Sequence, residues 1–373
     1  MQGRIVPFTQ DLVPAVAAFN QRLADGAVPW QFPERPEPDW LPRLPGAPAF
    51  QEFFLLAEDG VVRGAYCLKR HDVHVGGEPR PGASFHLPLS EGTIDPRFSL
   101  VATRLMRDAC KRVPLLFGVG MRGSRSAIAR LLSALGWHLQ AIPFYFKVLR
   151  GQRFARQLRY GRGNPLVRIA LAALAGTGLA AVGATAARAL LTRRPQEAET
   201  KQVADFGAWA DAVWDASARA YSFCAVRTAA VLNLVYPPGS PGVVRLRVGT
   251  DGAVIGWAVV QDVPLSAHEH FGDMRLGTVV DAFGPPESAR AVIHAATHAL
   301  EGRGVDLILS NQSHPAWRSA LRASGFIRAP STFIFGAAPH LHDLLVRSDP
   351  GYGRLHLNRG DGDGPWGVSR GLA

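Results

Sequence analysis

The chain has 373 residues, of which 47% are apolar and 19% charged, a composition that excludes a disordered chain and gives room for two domains with their own cores. A net charge of +11 points to an anionic partner, such as cofactor phosphates or acidic lipid, and the few aromatics between the basic residues point away from nucleic acid. Cys67, Cys110 and Cys224 lie far apart without CxxC or Cys/His spacing, which indicates neither a zinc site nor a disulfide framework and fits a reduced, cytoplasmic setting.

Residues 4–8 read as a strand, and 10–24 as a helix with Leu12, Val13, Val16, Phe19 and Leu23 at helical spacing. The start lacks a basic region followed by an apolar run, so no signal peptide is expected. After a Pro-rich loop come strands at 53–57 and 61–69, turned at Glu58-Asp59-Gly60, and a third at 84–92. Helix 97–112, strand 114–120, helix 124–135 and a strand pair at 138–149 complete a first domain, 1–150. In the second, 201–347, helices at 203–220 and 225–234 precede a hairpin, 243–249 and 253–263, turned at Asp251-Gly252. Strand 275–284, helix 287–302, strand 305–311, helix 315–324 and a strand region at 326–337 follow. The Gly-rich tail, 348–373, reads as loop, and RGDGDG (359–364) as a tight turn or a substrate-covering segment rather than a calcium loop, since no downstream bidentate Glu follows.

The two halves repeat. Gly136-Trp137 answers Gly325-Phe326, and Phe144-Tyr145-Phe146 answers Phe333-Ile334-Phe335, each after a helix and across a proline. So long a period suits a domain duplication, not a solenoid.

A helix ending in Leu-Gly-Trp or Ser-Gly-Phe before an aromatic strand, behind a mixed sheet, resembles the last third of the GNAT N-acetyltransferase fold. The resemblance covers about 3–150 and 200–337, and LHLNRGDGDGP (355–365) resembles the tail of bacterial tandem GNAT-like proteins. It implies an α/β fold with mixed sheets, two tandem GNAT-like domains, and acetyl-CoA or another acyl-CoA as cosubstrate. It also implies a pyrophosphate loop, where backbone amides at a helix N-terminus bind phosphate. The first domain has Arg97, Ser99 and Ala102 there, with Leu100 in place of the central Gly. The second has Gly284-Pro285-Pro286-Glu287-Ser288-Ala289, where Ser288 is the candidate contact and Glu287 would repel pyrophosphate. The family's helical Tyr acid aligns with Leu132 and Leu321, both apolar, which leaves Tyr145 as a candidate substitute, or simply core.

Glu91 and Asp281 are the candidate general bases, placed to take a proton from an attacking ammonium. His86 is a candidate substrate contact, although five residues from Glu91 on a regular strand it faces the other way unless a bulge intervenes. Asp281 sits near a strand core, where a carboxylate needs either a site or a buried partner. Asn311, at a strand's carboxyl end, is a second substrate contact, and His314 caps the next helix. His268, His270 and Asp273 form a polar loop with no third metal ligand placed.

Residues 151–200 read as a linker. Ile169–Ala187 carries no charge and spans about 28 Å as a helix, but nine Ala and three Gly give it a weak insertion drive. A span would also put two similar domains on opposite sides of a membrane. It therefore reads as a domain-joining helix, or as one lying on an anionic membrane surface through the arginines of 153–194, which would place the protein peripherally at the inner membrane. Two functions follow. One is acyl-CoA-dependent N-acyl transfer to an unidentified small-molecule amine. The other is a catalytically silent scaffold that binds a membrane surface or a partner.

Overall fold

The computed structural model describes residues 3–157, 198–268 and 271–367. The apolar segment 169–187 lies outside them, and with it the expected joining helix and its membrane-surface role. Among the described residues no helix is long and apolar enough to cross a membrane.

The strands, in chain order, are β1 (Arg4–Pro7), β2 (Ala49–Glu58), β3 (Val61–Val75), β4 (Glu78–Ser90), β5 (Leu116–Gly120), β6 (His138–Ala141), β7 (Phe144–Val148), β8 (Glu199–Val203), β9 (Phe223–Ala225), β10 (Val243–Thr250), β11 (Ala253–Pro264), β12 (Arg275–Phe283), β13 (Leu307–Asn311), β14 (Ile327–Ala329) and β15 (Ile334–Ala337). They form two mixed sheets. The chain divides into two compact units: the first is Met1–Gln140 with Ile334–Pro350, the second Ala141–Phe333 with Gly351–Ala373.

This division differs from the expected boundaries at 150, 201 and 348. β7 pairs with β13, and β15 pairs with β5, so the two matching aromatic strands have traded sheets. Proline explains where the chain leaves one sheet for the other: Pro143 and Pro330 lack the N–H that continued pairing needs. The shared helix endings also have a common cause. The Trp137 N–H donates to Leu132 O, and the Gly136 N–H to Ser133 O, both at 3.0 Å. Phe326 to Leu321 and Gly325 to Arg322 repeat this at the same 3.0 Å, with both glycines at positive φ, 81° and 82°. Each is a Schellman cap whose αL residue favours glycine, and Leu132 and Leu321 are the buried residues that the caps fold back onto.

In unit 1 the order is β1-β2-β3-β4-β5-β15-β6, with β4–β5 a parallel pair. Asp59 and Gly60, both at positive φ, make the tight β2–β3 turn. Strand alternation sends Phe53, Leu55 and Cys67 to one face, where helix Val13–Asp25 buries Val16, Phe19 and Leu23. Phe54, Leu56 and Tyr66 go to the other, under Val101, Leu105, Met106 and Ala109 of helix Val101–Arg112. Each large apolar side chain so buried contributes about 1.5–3 kcal/mol.

Unit 2 repeats the plan as β14-β7-β13-β12-β11-β10-β8, with Asp251-Gly252 as its hairpin turn and β12–β13 as its parallel pair. The C-terminal tail, which the sequence reads as loop with a tight turn, is packed into the unit. Leu355, His356, Leu357 and Asn358 are buried, and a 3-10 turn at Arg359–Asp361 follows. Helix Pro339–Ser348, which belongs to unit 1, also forms, burying Leu341 and Leu345.

Candidate active site

In unit 1, β4 and β5 share only two paired positions, Ala83 with Leu116 and Ser84 with Phe117, and then part. Just beyond the parting β4 bulges. Ala65 and Cys67 of β3 face Leu89 and His86, so three steps on β4 match two on β3, and Leu87 takes a φ of 46°. His86 stands at the mouth of this split, and its Nε2 lies 2.6 Å from the hydroxyl of Ser84, two residues back on the same face. Ser84 is fully buried at the apex, so it fixes the imidazole from below. His71 lies edge-on to Phe117, centroids 5.6 Å apart, and Lys69 sits buried against Trp40.

Glu91 stands elsewhere. It is buried, with one carboxylate oxygen accepting from Arg22 Nε and the other from Arg63 Nη1 at 2.8 Å. A proton acceptor there would first have to give up two guanidinium donors. Arg97 is largely exposed in the turn before helix Val101–Arg112, its guanidinium 2.7 Å from Asp95. Ser99 is exposed and Ala102 half-buried at that helix entrance, which carries no acidic residue in its first turn.

Unit 2 has the same split and the same bulge, between Val259–Asp281 and Val260–Val279, but its split is filled. β12 and β13 stay paired from Leu276 to Val279 and then part, and the tail enters between their ends. His356 Nε2 donates to Ala282 O at 2.9 Å, Asn358 bridges Gln312, the Ser313 N–H donates to Leu357 O at 3.0 Å, and Asn358 Nδ2 donates to Asp281. Beneath lies a buried ion cluster. Arg227 donates to Asp281 through Nε at 3.2 Å and to Asp361 through Nη2 at 2.8 Å, and Tyr236 donates to Asp281 at 2.9 Å. Burial works against the Arg227 charge, but the two carboxylates outweigh it and hold its pKa above the ordinary value. Burial, then Asp281, raises the Tyr236 phenol well above its usual range, so it stays a donor. Burial, then Arg227 and His314, pushes His356 well below the usual imidazole range, so it is neutral.

The remaining candidates fall in unit 2. Asn311 accepts from Arg359 at 3.1 Å and donates to Pro143 O at 3.4 Å. Tyr145 is buried opposite Ser310. Ser288 Oγ donates to Pro285 O at 2.8 Å. His314 caps its helix by accepting from Ala316 N. His268 accepts from the Phe271 N–H in a closed turn with Gly272, while His270 lies outside the described residues. Sequence reasoning passed over Ser84, Arg227, Tyr236, His356 and Asp361. Only the last had a signal, the Asn-x-x-Asp spacing of a capping box from Asn358 to Asp361.

No protein-family model and no curated protein matches the sequence. Solved structures do match. N-myristoyltransferase from Saccharomyces cerevisiae with bound myristoyl-CoA aligns with a TM-score of 0.52 and 10% identity, over 90% of this chain and 78% of that one. A GCN5-related N-acetyltransferase from Anabaena variabilis aligns at 0.52 and 8%, over 90% and 73%. A probable N-acyltransferase from Enterococcus faecalis aligns at 0.50 and 10%, over 93% and 74%. At these identities the likeness shows the fold: two mixed sheets, each with a parallel pair that splits beside a strand bulge, make two GNAT-like domains.

Proposed function

We propose that the chain is an acyl-CoA-dependent N-acyltransferase that binds one acyl-CoA, in the split of unit 1. The observation that carries this reading is the contrast between the splits: unit 1 has a histidine at the mouth of its split, and unit 2 has its own tail in the equivalent place. Arg97 and the amides of Val101–Arg112 would receive the diphosphate, and the pantetheine arm would run along β4.

His86 is the proposed base, in preference to Glu91 and Asp281. It takes a proton from the ammonium of a small-molecule amine. The amine nitrogen then attacks the thioester carbonyl carbon, and backbone amides on the freed edge of β4 stabilise the oxyanion. The C–S bond breaks, the thiolate takes the second proton shed by the attacking nitrogen, an amide and free CoA leave, and His86 releases its proton to solvent. Ser84 is a positioning residue that holds the ring.

Titration calorimetry with acetyl-CoA at low salt tests the proposal: one molecule bound per chain supports it. Two per chain would return unit 2 to the account, and none with any acyl-CoA would leave the scaffold reading in its place.

A further inference from the structure

This inference rests on acyl-CoA lying in the split of unit 1, and concerns the acyl chain that the split admits. β5 and β15 pair Gly118 with Gly336, so two adjacent positions of the sheet carry no side chain. On that face lie the helices Val101–Arg112 and Ala127–Ala134. The missing side chains leave a bay, and Met121 fills it. Met121 follows β5 at a φ of 64°, which turns its side chain back over the strand. Its methyl carbon lies 2.9 Å from where a Cβ on Gly118 would be and 2.8 Å from the same point on Gly336. Leu139 and Trp137 close the far wall, 3.0 and 3.3 Å from the Gly336 position.

The bay opens at the apex of the split. Gly118 is the first β5 residue past the last β4–β5 pair, and the Phe85 carbonyl oxygen lies 3.7 Å from its Cβ position. His86, at the level proposed for the reacting carbonyl, is one residue farther out and, paired with Cys67, faces the other side of the sheet, so an acyl chain reaches the bay by passing through the split. We infer that Met121 sets acyl-chain length. With its methyl in the bay the split takes an acetyl-sized group, and a longer chain must displace this flexible thioether.

The test compares acetyl-CoA with octanoyl-CoA, by kcat/KM with a generic amine acceptor and by calorimetric Kd. Met121→Ala should raise the octanoyl-to-acetyl ratio about tenfold or more. Met121→Leu, which keeps the volume, should leave it near wild type. Gly336→Ala, whose new methyl drives the thioether out toward the split, should lower it. An unchanged ratio in Met121→Ala, with acetyl-CoA still bound, overturns the inference and leaves the acyltransferase reading standing. Absence of acyl-CoA binding in the wild type overturns both.

Discussion

Asp361→Ala removes one of the two carboxylates that hold Arg227 inside unit 2. The Arg227 and Asp361 side chains are each 2% exposed and Asp281 5%, so solvent does not screen the loss. Breaking a buried pair and leaving its partner charged costs about 3–5 kcal/mol. The same carboxylate accepts from the Asn358 N–H at 2.8 Å, a cap worth about 1 kcal/mol. Against a domain stability of about 5–15 kcal/mol, a combined loss of about 5 is severe. With a urea slope of about 2 kcal/mol/M, the midpoint of unit 2 should fall by about 2.5 M. Tryptophan fluorescence can follow it, because Trp257 and Trp317 are fully buried in that unit. Asp361→Asn, which keeps the shape and one oxygen, should fall between the variant and wild type. A shift under about 0.5 M in Asp361→Ala would refute the claim that the tail is held by this ion cluster.

His86→Gln should lower kcat by about 10²–10⁴-fold with CoA affinity kept, and Ser84→Ala by less; free-thiol release reads both, and an undiminished kcat in His86→Gln would remove the proposed base. The His356 imidazole, depressed in the fold, binds its proton only on unfolding. The unfolded chain therefore holds more protons below about pH 6.5, and unit 2 should lose about 1.4 kcal/mol per pH unit as pH falls below that value, keeping full stability above it. Urea midpoints between pH 7 and 5 check this, and His356→Gln should flatten the slope. Burial pushes the Cys224 thiol up to about 12, so iodoacetamide at pH 8 should leave it unmodified in the folded protein; labelling at the unfolded rate would contradict its burial.

The hydrophobic periods of helices 13–25 and 101–112, and the Asp-Gly turns at 59–60 and 251–252, were legible because each is fixed by residues a few positions apart. So was the duplication, since the Schellman glycines Gly136 and Gly325 are local requirements. The exchange of β7 and β15 was not legible: Phe144–Val148 and Ile334–Ala337 are alike enough that neither sequence states which sheet it joins. The candidate site was half legible. His86 was singled out as a substrate contact, but the proposal of it as the base depends on a bulge at Leu87 and on Ser84 at the apex of a split, both set by strand register. Glu91 gave no sign in sequence of the partners that engage it, because Arg22 and Arg63 come from 69 and 28 positions away. The tight turn in the tail was legible from its glycines, but its burial was not, because its partners Arg227 and Asp281 lie far upstream.

The traded strands impose an order on synthesis. When β5 leaves the ribosome its outer edge has no partner until residue 337 is made. At about 5–20 residues per second, that interval is on the order of 10–40 s. An open, apolar strand edge exposed for so long is a template for pairing with other chains. Low temperature during expression, or a chaperone that shields Leu116–Gly120, should therefore decide how much of the protein is recovered intact, and a fragment ending near residue 150 should aggregate.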